Sequence, residues 1–82
     1  MKATIVGLNL GKGCAIAKTD DGEYVLIELF IDEPELHDEV SGKFDEHPLG
    51  GEIIQNLTTG EKMDVYIQDY CSKELAVKYL NG

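Results

Sequence analysis

The sequence predicts an all-β protein, a small antiparallel barrel of five to six strands. Three observations carry that expectation: short segments alternate apolar with polar residues, turn residues separate them, and no amphipathic stretch of useful helical length intervenes. At 82 residues the chain is read as one domain, residues 1–82, whose apolar side chains share a single core.

Lys2 to Leu10 is rich in β-formers, and Gly7 within it marks a bend or a close backbone approach. Gly11-Lys12-Gly13 then turns the chain into a second strand. Asp21-Gly22 is the clearest local signal, because this pair accepts the positive φ angles of a tight hairpin. A two-residue loop there sets Lys18 opposite Val25, Ile16 opposite Ile27 and Cys14 opposite Leu29, which makes one apolar face. The other face carries Thr19 with Tyr24, Ala17 with Leu26, and Ala15 with Glu28, and a four-residue loop keeps the same division.

Asp32 to Glu39, acidic and holding Pro34, reads as a loop inserted between the third strand and a strand near Val40. Val40, Gly42 and Phe44 alternate with Ser41 and Lys43 along that strand, which Asp45-Glu46-His47-Pro48 and Gly50-Gly51 bring to an end. Ile53 to Leu57 is a short strand turned by Thr59-Gly60. Met63, Val65 and Ile67 then alternate with Asp64, Tyr66 and Gln68, the pattern of a half-buried strand. Residues 75–80 fit two periods: Leu75, Val77 and Tyr79 a strand, or Leu75, Ala76, Tyr79 and Leu80 a helix begun at Ser72. The strand is the preferred reading.

Sixteen acidic residues against seven basic ones give a formal charge of −9, which repels phosphate backbones and anionic lipids at long range. Met1-Lys2 leads directly into Ala3-Thr4-Ile5-Val6, without the continuous apolar run of a signal peptide or a membrane span, so a cytoplasmic protein with no membrane partner is expected. In that compartment Cys14 and Cys71 are expected as free thiols, and two cysteines make no zinc site. Asn56-Leu57-Thr58 matches a glycosylation acceptor that a chain never exported has no use for.

Read together, MKATIVGLNLGKGCAIAKTDDG resembles without a gap the start of the cold-shock domain family, M-K-G-T-V-K-W-F-N-x-x-K-G-F-G-F-I-x-x-D-D-G. Met1, Lys2, Thr4, Asn9, Lys12, Gly13, Asp20, Asp21 and Gly22 are shared, and Ile5 and Leu8 match aliphatic positions; the likeness covers roughly residues 1–29. It implies an oligonucleotide/oligosaccharide-binding (OB) barrel, which agrees with the strand reading. Members of that family stack bases on exposed aromatic rings, each worth about 1 to 3 kcal/mol. Here Gly7 stands in place of tryptophan, Cys14 and Ile16 replace two phenylalanines, and Val25-Leu26-Ile27-Glu28 replaces an aromatic and a histidine. The resemblance thus implies a barrel without its stacking platform, and with a carboxylate at Glu28 where phosphate would approach.

Aliphatic side chains in place of exposed rings leave an apolar patch that suits a protein partner or self-association, and Ile16, Leu26 and Leu29 are its candidate residues. The same side chains also fit an ordinary core. The alternative ligand is a single-stranded nucleic acid, disfavoured by charge, held by Lys2, Lys12, Lys18 and Lys43 with Tyr66 and Tyr70, which alternation puts on one strand face. No catalytic residue, metal ligand or cofactor site is expected. The acidic loop lacks calcium-loop spacing, His37 and His47 have no partner ligands nearby, and neither cysteine has an activating histidine or an electropositive setting.

Overall fold

The computed structural model describes all 82 residues. Six strands, β1 (Lys2–Asn9), β2 (Cys14–Thr19), β3 (Tyr24–Leu29), β4 (Glu39–Ser41), β5 (Gly50–Asn56) and β6 (Lys62–Cys71), are followed by one helix, α1 (Lys73–Asn81). The strands close into an antiparallel barrel in the order β1-β2-β3-β6-β5-β4, with β4 pairing back onto β1. The predicted all-β barrel is therefore present, with six strands.

The core is the barrel interior. Ala3, Ile5, Ala15, Ala17, Val25, Ile27, Val40, Ile54, Met63, Val65 and Ile67 point inward, and Phe44 plugs one end from a single 3-10 turn at Phe44–Glu46. The alternation that places Val40 thus stops at Ser41, and Phe44 reaches the core from a turn rather than from a continuing strand. Gly42 makes room beside it, since a Cβ there would lie 3.0 Å from Ile54 Cγ2 and 3.3 Å from the Phe44 ring, and a neighbour would have to give way by a few tenths of an ångström. β5 starts at Gly50, earlier than expected, so Gly50-Gly51 opens a strand instead of ending one, and Leu57 lies outside it.

The β2–β3 register differs from the expectation by one residue. The hairpin loop is Asp20-Asp21-Gly22, an odd length: Thr19 N donates to Glu23 O at 2.8 Å, and Gly22 takes φ 89°. Such three-residue loops end in a left-handed residue, usually glycine. Lys18 accordingly pairs with Tyr24, Ile16 with Leu26 and Cys14 with Glu28, while Ala17 pairs with Val25 and Ala15 with Ile27. Because side chains alternate with period two, the odd loop sends Ala15 and Ala17 inward and Ile16 and Cys14 outward.

Two bulges decide which side chains reach the outer surface. The β1–β2 register shifts between Ile5 and Gly7, the bend anticipated at Gly7. The β3–β6 register shifts between Leu26 and Ile27, where Asp69 and Ile67 are their partners and Gln68 is the extra residue. That bulge moves Tyr70 to the interior side while Tyr66 stays outside, so the two tyrosines do not share a face.

Residues 75–80 are helical, not a strand. The barrel closes without this segment, which satisfies its backbone groups internally as a helix. Ser72 caps the start, its hydroxyl accepting from Leu75 N at 3.5 Å.

Candidate functional site

The outer face of β1, β2 and β3 carries Ile16 and Leu26, two of the candidate partner-binding residues, and α1 lies on it. Ile16 is 3 % exposed and Leu26 9 %, buried together with Ala76 of the helix; Tyr24, Cys71, Tyr79 and Leu80 pack around them. These two residues are thus not an exposed patch: the chain's own C-terminal helix covers them. Leu29, the third candidate, packs against the barrel interior.

Gly7 fits the same arrangement. A Cβ on it would stand 2.8 Å from Leu80 Cδ2 and 3.5 Å from Ile16 Cβ, so the missing side chain leaves the seat that Leu80 fills. The positions where the cold-shock resemblance would place tryptophan and a phenylalanine, Gly7 and Ile16, both lie beneath the helix. α1 packs over both positions.

A helix this short is marginal alone in water, so docking has to hold it. Burying Ile16 and Leu26 supplies about 1.5 to 3 kcal/mol for each side chain. Polar contacts fix the far end: Asn9 Nδ2 donates to Leu80 O at 2.7 Å, and Lys12 Nζ donates to Tyr79 O at 2.9 Å. These carbonyls lie in the last turn, where partners within the helix run out and where a cation suits the helix dipole. A crevice of about 300 Å³ remains between helix and sheet, with Lys18 and Lys73 at it.

The candidate cations are dispersed. Lys12 sits at the C-terminal end of α1 and over the Tyr79 ring, Lys18 lies over Tyr24, Lys2 lies at the β1–β4 seam opposite Ser41, and Lys43 faces a separate groove. Tyr70 is committed to structure: its hydroxyl donates to Pro48 O at 2.9 Å and its ring meets His47 edge-on at 4.7 Å between centroids. Burial, with Glu23 and Glu52 adding to it, pushes the Tyr70 phenol up to about 12. Burial likewise pushes Tyr79 up to about 12, with Cys14 and Glu28 contributing. Of the two candidate tyrosines only Tyr66 remains on the outer surface, beside Glu28 of β3.

Burial also raises the Cys71 thiol, with Asp69 and Glu23 adding to it, which disfavours the thiolate needed for nucleophilic chemistry. In the acidic loop Asp38 turns inward. Its Oδ2 accepts from Glu35 N at 3.0 Å and from Asn56 Nδ2 at 2.8 Å, and these bonds hold its carboxyl below the usual carboxylate range. Asn56 Oδ1 accepts in turn from Thr58 N and Thr59 N, tying the acidic loop to the β5–β6 turn. This anchor was not anticipated; nothing in the spacing of Asp38 and Asn56 pairs them.

One feature of the surface was missed in the sequence. Phe30, Ile31 and Ile53 are 59 %, 90 % and 65 % exposed, and all three line a groove of about 860 Å³ between the segment after β3 and the β5–β6 ladder. Comparison with protein-family models, with curated proteins and with solved structures gave no match.

Proposed function

We propose that this protein is a non-enzymatic interaction module, an OB-like barrel of cold-shock type whose ligand is another protein rather than nucleic acid. The observation that carries the reading is the helix over Ile16 and Leu26, which occupies the face where a cold-shock barrel would take bases. The dispersal of Lys2, Lys12, Lys18 and Lys43 and the charge of −9 support it, because phosphate binding needs cations side by side. A regulatory or scaffolding role in the cytoplasm suits a small acidic barrel in which no helix is long and apolar enough to cross a membrane. The raised Cys71 thiol and the structural engagement of Tyr70 favour a non-catalytic role.

Titration of a fluorescently labelled single-stranded pyrimidine oligonucleotide, at low and at moderate salt, tests the reading. It expects no saturable binding even at low salt. Saturable binding at moderate salt would replace it with a nucleic-acid function.

A further inference from the structure

The groove beside Ile53 lies on the outer surface that α1 leaves free, and it deepens the proposed interaction function, on which it rests. Three of the four most exposed large apolar side chains of the protein, Ile31, Ile53 and Phe30, line this one groove. Apolar groups gathered in this way mark a binding surface more often than the same groups scattered singly. On the ladder Ile53 is opposite Asp64 and Gly51 is opposite Tyr66, and nothing lies within 4 Å of the place a Gly51 Cβ would take. Gly51 therefore puts no side chain on the groove beside Ile53.

The polar groups of the groove have one dominant sign. Asp32, Glu52 and Asp64 stand on it against the single ammonium of Lys43. A second copy of the chain, itself at −9, is repelled, and so is a phosphate backbone.

We infer that this groove docks a cationic amphipathic segment of a partner protein. Its apolar side chains cover Phe30, Ile31 and Ile53, and its lysines or arginines face Asp32, Glu52 and Asp64. Apolar anchors give the affinity, and the carboxylates set orientation and reject acidic competitors.

The test is an amide chemical-shift titration of the full chain with a synthetic amphipathic leucine/lysine helix. A scrambled peptide of the same composition and a leucine/glutamate analogue serve as controls. Saturable shifts centred on Phe30, Ile31 and Ile53, weakened about tenfold or more by Ile53→Ser or Phe30→Ser, are expected for the first peptide alone. Both substituted residues are exposed, so the fold survives either change. Equal binding of the scrambled peptide, with shifts scattered over the acidic surface, would overturn the inference, and so would the absence of any shift. Binding of the leucine/glutamate peptide in the groove would overturn the cationic partner while leaving the interaction function standing. Saturable capture of the pyrimidine oligonucleotide would overturn that function itself.

Discussion

Leu80 Cδ2 lies 2.8 Å from the point that a Cβ on Gly7 would occupy, so the smallest residue of β1 and the last apolar residue of α1 fit one another. Gly7→Ala is expected to change stability by no more than about 1 kcal/mol, because the end of a leucine can move aside and alanine suits a strand better than glycine. Gly7→Trp fills the seat outright. Amide hydrogen exchange should then quicken across α1 while β2, β3 and β6 keep their protection; unchanged protection of α1 would refute the fit.

Ile16 and Ile27 are both buried, but in different places. Ile27→Ala opens a cavity inside the barrel and should cost about 3 to 4 kcal/mol, lowering the whole unfolding transition. Ile16→Ala leaves a gap under a single helix that can settle, so about 2 kcal/mol is expected, with α1 loosened first. Chemical denaturation followed by far-UV circular dichroism, with hydrogen exchange of α1, separates the two.

Asp38 links acid stability to the loop anchor. Its folded-state pKa is lowered, so its contribution is present above the ordinary aspartate value of about 4 and is lost as pH falls through the folded value. Asp38→Asn should cost about 1 to 2 kcal/mol at neutral pH, since it weakens bonds accepted by a carboxylate. The difference from the native protein should shrink below about pH 4, which urea denaturation across pH measures directly.

Tyr70 and Tyr79 act at the other end of the scale. Their phenols are held protonated to about 12, so this contribution is complete below the ordinary tyrosine value and is lost as pH rises from there to about 12. Tyr70→Phe should cost about 1 kcal/mol near neutrality through the lost bond to Pro48 O. It should also flatten the alkaline decline of stability, and phenolate absorbance should show one fewer late-titrating tyrosine.

Much of the barrel was legible because period-two alternation is local: Val25 and Ile27, or Met63, Val65 and Ile67, announce an inward face wherever they fall. What failed depended on counts of one. A three-residue loop at Asp20-Asp21-Gly22 and one extra residue at Gln68 each invert a face, which moved Ile16 outward and Tyr70 inward. The helix at Lys73–Asn81 carried a cue, Ser72 ahead of apolar Ala76, Tyr79 and Leu80, but the seat it packs on, Ile16 and Leu26, is set by the register of the barrel. The aliphatic patch expected at Ile16, Leu26 and Leu29 is not exposed: α1 covers the first two, and Leu29 packs against the barrel interior. The groove at Phe30, Ile31 and Ile53 joins segments distant in sequence, and no local pattern announces it.

The most direct test of the covered face is solvent paramagnetic relaxation of the methyl groups in the native protein, using a neutral soluble probe. The Ile16 and Leu26 methyls should be shielded nearly as well as Ile27 in the barrel interior, while Ile31 and Ile53 are strongly relaxed. Relaxation of Ile16 and Leu26 to the level of Ile53 would show the face open to solvent, and would contradict the account.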